Sequence, residues 1–183
     1  MAGLKNSARS FGIATRAIHW TMALGVIGAL VLGTYIARMK VDLSNIWLFG
    51  LHKSVGLTLL VLLVLRVLWH RLSPPPPPLE DGVRWHGALA RWTHRGLYAL
   101  LILVPLTGWI ASAASGLDVV LYGRWTLPRI APVSEAWQNA FFAAHGILTK
   151  VLMALVLLHV LGALRRRDGT VRRMVRGEAG RRV

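Results

Sequence analysis

Residues 142–164 read FAAHGILTKVLMALVLLHVLGAL. With one lysine and no carboxylate, this stretch is long and apolar enough to cross a hydrocarbon core of about 30 Å as a helix. Two ionisable rings interrupt it, His145 and His159. Fourteen residues make nearly four helical turns, so both imidazoles leave almost one face, about 21 Å apart along the axis. Ionisable groups are costly inside a membrane and tend to be functional there. One helix can therefore supply a ligand to each of two stacked sites.

Three other stretches have the same character, roughly Ala17–Ala37, Gly50–Trp69 and Gly96–Ala114. Four segments are too few to close a barrel, and helix is the remaining structure that satisfies the backbone in lipid. The first is longer than a signal h-region and lacks a small-x-small cleavage site, so it reads as a retained span. The expected fold is all-α, a transmembrane four-helix bundle forming a single membrane domain over 1–183, with residues 165–183 as a basic cytoplasmic tail.

Composition agrees. Of 183 residues, 55% are hydrophobic and 16% charged, a balance wrong for a soluble domain and too apolar for a disordered one. Cysteine is absent, which excludes disulfides, iron–sulfur clusters, thiolate metal sites and thioether-linked haem. The net charge of +15 raises nucleic-acid binding as a possibility, and the placement of the charges argues against it. Lys5, Arg9 and Arg16 precede the first span; Arg71, Arg84, Arg91 and Arg95 lie between the second and third. Arg165, Arg166, Arg167, Arg172, Arg173, Arg176, Arg181 and Arg182 follow the fourth. Only Arg38, Lys40, Lys53, Arg124 and Arg129 fall on the other side, so both termini are expected in the cytoplasm and the basicity is topogenic. The connection with prolines 74–78 is expected to be an extended, stiff spacer. The loop 115–141, with Trp125 and Trp137, is expected at the outer interface, capping the bundle.

Depth pairs the histidines. His19 lies near the inner end of the first span with His159, and His52 near the outer end of the second with His145. Two imidazoles per site is the donor set of a six-coordinate b-type haem held without covalent attachment, giving two such haems. Gly33, Gly56 and Gly162 fall on or near the ligand faces and would leave room for a macrocycle. Arg66 lies 14 residues after His52, at inner depth, and Arg16 one turn before His19; both are placed to neutralise propionates. Glycines are also common in membrane helices and arginines at their inner ends, which is the structural alternative for each. With no Asp or Glu in the four spans, a carboxylate-coupled transporter or a zinc site is the poorer use of these histidines. His70 and His86 are expected to be solvated. His94 opens the third span near the inner site, placed for a propionate or quinone oxygen or for a structural role. Lys150 is expected to snorkel outward.

The strings Ala17-Ile18-His19-Trp20, Leu51-His52-Lys53-Ser54-Val55-Gly56, Pro105-Leu106-Thr107-Gly108-Trp109, Leu158-His159-Val160 and the run from Arg167 to Met174 (RDGTVRRM) resemble the bacterial cytochrome b561 family. The likeness runs from about residue 10 to residue 176. It implies a four-helix inner-membrane protein with two haems b, one on His19 and His159, the other on His52 and His145. It also implies a superoxide oxidase-like activity, with electrons taken from superoxide at the periplasmic face and passed to ubiquinone. Lys53 matches the family's His-Lys-Ser motif and would stand where an anionic substrate or a propionate needs a cation, with Arg124, Arg129 and Arg38 extending the attraction. Where many members carry two histidines after the last ligand, near the proposed quinone site, this chain has Arg166 and Arg167. The competing role is a cytochrome subunit that carries electrons for, and anchors, a partner dehydrogenase or hydrogenase. The implied partners are membrane lipid, a quinone and a small electron donor, with no nucleic acid.

Overall fold

The computed structural model describes residues 3–79, 84–166 and 168–177. Among the basic residues counted above, Arg167, Arg181, Arg182 and the side chain of Arg84 lie outside the described residues. Four long helices dominate: α1 (Ile13–Ile36), α2 (Trp47–Leu72), α3 (Arg84–Ala114) and α4 (Glu135–Arg165). Between α3 and α4 comes a hairpin of β1 (Val120–Leu121) and β2 (Trp125–Thr126), and after α4 a short α5 (Thr170–Arg176). Each long helix contains a stretch apolar and long enough to cross a membrane. Their large apolar side chains are widely exposed, as in Leu24, Val31, Leu157 and Leu164, which suits a lipid surround.

All four helices start earlier than hydropathy places them, α3 and α4 by the most. Ser134 begins α4, its Oγ accepting from the Trp137 amide, and Glu135 stands in the first turn, where the helix dipole favours a carboxylate. The α3 helix runs through Arg84–Arg95, a segment too basic to register as a span but carrying Trp85, Leu89 and Trp92 one or two turns apart. The α2 helix ends where Ser73 meets the prolines, since Pro74 restricts the residue before it and offers no amide.

The chain divides into two compact units, and each long helix contributes to both. The terminal unit takes residues up to Ala23, Leu62–Tyr98 and everything from Ala154 on. Thr15 is buried in it and its hydroxyl accepts from Trp69 Nε1 at 2.9 Å. Asn6 ties the N-terminal segment to the end of α2, its amide donating to Ser73 Oγ and its Nδ2 to the Ser73 carbonyl. The tail is ordered here. Arg173, 4% exposed, donates from its guanidinium to the carbonyls of Arg9, Pro77 and Ala8, so α5, the N-terminal segment and the polyproline run are pinned together. The basic tail expected after the fourth span is, over 170–176, a docked helix.

The loop unit takes Leu24–Val61 and Ala99–Met153. Its interior is built from small side chains, including Ser54, Ala111, Ser112, Ala113 and Ala114, which let helix backbones approach closely. Pro105 sits inside α3, where Thr107 Oγ1 donates back to the carbonyls of Leu103 and Val104. The hairpin turns on Tyr122 (φ 48°) and Gly123 (φ 69°). A tyrosine in the left-handed region is unusual. It is held by its amide donating to Ser54 Oγ and by its hydroxyl bonding Thr58 Oγ1, which seats the loop on α2.

Candidate functional site

Each unit contains one facing pair of imidazoles. In the terminal unit His19 of α1 and His159 of α4 have ring centroids 6.2 Å apart, inclined at 60°. In the loop unit His52 of α2 and His145 of α4 stand 6.3 Å apart at 87°. Two metal–imidazole bonds of about 2 Å, set end to end with the half-widths of the two rings, span about 6 Å. Both separations match an axial pair on one ion.

Local contacts orient the rings of the loop unit. His145 Nδ1 lies 2.9 Å from the Val104 carbonyl, with Thr107 Oγ1 at 3.5 Å, so the Nδ1–H donates and Nε2 remains available. His52 Nδ1 is buried without a well-formed hydrogen bond, the Ala29 backbone being in electrostatic reach. A Cβ on Gly33 would come within 2.8 Å of His52 Cε1, and one on Gly108 within 3.1 Å of His145 Cε1 and Nδ1. Both glycines therefore admit an imidazole edge directly. Gly56, in contrast, meets nothing within 4 Å and leaves open space on its face of α2.

The terminal unit is richer in unpaired donors. Arg66 gives its Nε to the Tyr98 hydroxyl at 3.0 Å, while its Nη1 is buried without a partner. Arg16 Nε and His70 Nε2 are likewise buried and lack hydrogen bonds. His70 is thus only half exposed, and the solvated ring expected at the membrane surface is corrected: Arg66, one turn earlier on α2, acts on it electrostatically. His94 donates from Nδ1 to the Ala90 carbonyl and lies 5.0 Å from His159, edge to face. Nearby on α3, a Cβ on Gly96 would meet Leu155 Cδ1 of α4 at 2.7 Å. Trp20 packs against His19 at 5.4 Å and donates its Nε1 to the Met174 carbonyl of α5. Gly162 faces open space. His86 is half buried beside Trp85, where a solvated ring was expected.

The cations expected to draw in an anion are not joined to one another. Lys53 Nζ donates to Ser112 Oγ at 2.6 Å, and Arg129 pairs with Asp118 and bonds the Gly116 carbonyl. Arg124, at the hairpin tip, and Arg38 are exposed. Among the described residues no group of three or more His, Cys, Asp or Glu side chains converges as a metal cage would require.

A sequence model described as prokaryotic cytochrome b561 matches residues 10–177. The chain belongs to that family. It is similar to "Cytochrome b561 homolog 2" of Escherichia coli (strain K12), 32% identical over 179 residues and covering 93% of each chain. It is also 26% identical over 174 residues to "Probable superoxide oxidase CybB" of Yersinia pestis, covering 89% of this chain and 94% of that one. As a cytochrome b561 it is a multi-pass inner-membrane oxidoreductase that transfers electrons and binds b-type haem. The residues fit such a group: paired imidazoles at axial separation, glycine-opened faces and, in the terminal unit, buried guanidinium nitrogens awaiting acceptors.

Proposed function

We propose that this cytochrome b561 takes electrons from superoxide at the periplasmic face and delivers them to the quinone pool. In balance, two superoxide anions become dioxygen and a quinone takes the two electrons and two protons to become a quinol. The observation that carries the reading is the presence of two separate imidazole pairs, each at axial spacing. The printed name of the Yersinia pestis relative supports the choice of donor.

Two haems b are assigned, one to His19 and His159 and the other to His52 and His145. Haem held by these imidazoles would supply one-electron redox chemistry. The protein's part is to hold and tune. Val104 fixes the tautomer of His145, and Gly33 and Gly108 keep the two rings of the loop unit in place. Arg66 and Arg16 hold buried donors that lack partners, which would suit propionates. His94, beside His159, is placed to donate to a propionate or to a quinone oxygen. Lys53 with exposed Arg124 and Arg38 supplies a positive field for a small anion, and Arg129 contributes less because Asp118 neutralises it. Arg166, standing where many relatives have a histidine, is committed to Asp168 and the Leu79 carbonyl and so is a poor proton donor to quinone.

The test is steady-state quinone reduction by purified protein under a superoxide source, with haem quantified by a reduced-minus-oxidised spectrum. Activity lost in His52→Ala supports the assignment. A wild-type protein holding both haems with no rate above spontaneous dismutation overturns it.

A further inference from the structure

The two sides of α5 differ sharply. Inward, Arg173 is buried on three backbone carbonyls and over the Phe11 ring, and Met174 accepts from Trp20. Gly177 closes the helix, donating to the Arg173 carbonyl and accepting from the Phe11 amide. Outward, Arg172, Val175 and Arg176 are exposed, one turn or less apart. With Arg166, Gly169 and Val171 they line an open cleft of about 550 Å³. Among the described residues no carboxylate pairs with Arg172 or Arg176; Asp168, the nearest described acid in sequence, is bound by Arg166 and by Thr170.

This cleft begins one residue after α4, the most apolar of the four spans, ends. Its guanidiniums therefore stand at headgroup depth, beside valines that face the same space. Guanidinium is the side chain suited to bidentate phosphate binding, and valine suits the glycerol and upper acyl region. Because Arg173 pins the helix, the guanidiniums of Arg172 and Arg176 are carried on a docked element before any ligand arrives.

We propose that the α5 cleft binds the phosphate of an anionic phospholipid at the membrane surface, through Arg172 and Arg176. The inference requires only that α4 span the bilayer and is independent of the donor and acceptor assigned above.

The haem-loaded protein, purified in mild detergent, is examined by native mass spectrometry after incubation with phosphatidylglycerol or with phosphatidylcholine. Its thermal midpoint is followed with each lipid and with inorganic phosphate. Phosphatidylglycerol is expected to be retained and to raise the midpoint, with R172A/R176A weakening retention about tenfold or more while haem content stays unchanged. R124A, on the hairpin, serves as the control and is expected to retain lipid as the wild type does. Equal retention by R172A/R176A, or equal retention of phosphatidylcholine, overturns the proposal. A midpoint raised as much by inorganic phosphate as by phosphatidylglycerol assigns the cleft to free phosphate and likewise overturns the lipid claim.

Discussion

At the scale of single residues, the loop unit turns on two missing methyl groups. Gly33 and Gly108 meet the imidazoles of His52 and His145 so closely that a Cβ at Gly33 would sit 2.8 Å from His52 Cε1. The ring must then swing by several tenths of an ångström, and an axial ligand tolerates little misplacement. On the two-haem assignment proposed above, Gly33→Ala is expected to lower haem content by about half, read by pyridine haemochrome and protein assay. Unchanged stoichiometry in Gly33→Ala would mean that the His52 ring is free to yield. His145 and His159 could be placed on one face of α4 from spacing because 14 residues make nearly four helical turns. Gly108 could not be found the same way: its partner lies 37 positions on, and only the packing of α3 on α4 makes it matter. The position of His70 misled for a related reason, since hydropathy locates a residue along the bilayer normal but says nothing about what covers its ring.

At the scale of elements, α5 is held by one side chain more than by its own propensity, because seven residues are too few for a stable isolated helix. Arg173→Ala would remove the hydrogen bonds to three backbone carbonyls and is expected to cost about 1–3 kcal/mol, with Lys a poor rescue because it lacks the planar fork. Limited proteolysis of the tail, faster in Arg173→Ala than in wild type, checks this; equal rates would reject it. Asp168 adds a pH dependence. Burial alone would raise its carboxyl, but bonds from the Thr170 hydroxyl and amide and from Arg166 outweigh burial and hold it below the usual 3.8. The folded pKa is depressed, so this contribution is present above about pH 4 and is lost as pH falls through the folded value. Tail protection from protease is expected to decline below pH 4 in wild type and to be weaker at neutral pH in Asp168→Asn. The long helices were legible from hydropathy because lipid demands continuous apolar runs, whereas α5 depends on contacts with Ala8 and Arg9 more than 160 residues away. The early start of α4 had a local signal, Ser134 followed by Glu135, which a search for apolar windows passes over.

At the scale of the whole molecule, four spans place both termini on one side, and charge decides which. Fifteen Lys and Arg lie outside the spans on the terminal side, against five on the loop side, of which Lys53 stands within the start of the second span. Some of that excess is spent internally: Arg173 is buried and Arg166 is paired with Asp168. Lys5, Arg9, Arg71, Arg91, Arg95, Arg165, Arg172 and Arg176 remain exposed and still outnumber the loop side, where Arg129 is itself neutralised. The positive-inside rule counts basic residues near span ends, where all of these stand, so both termini are expected in the cytoplasm. Alkaline phosphatase inserted after Ile130 is then expected to be active and a C-terminal fusion inactive, with a C-terminal fluorescent protein bright. The opposite pattern would put the His52 and His145 pair, and the field around Lys53, on the cytoplasmic side. Superoxide generated outside the cell would then meet the face remote in sequence from Lys53 and the His52 and His145 pair, and the donor proposed for this chain would fail with the topology.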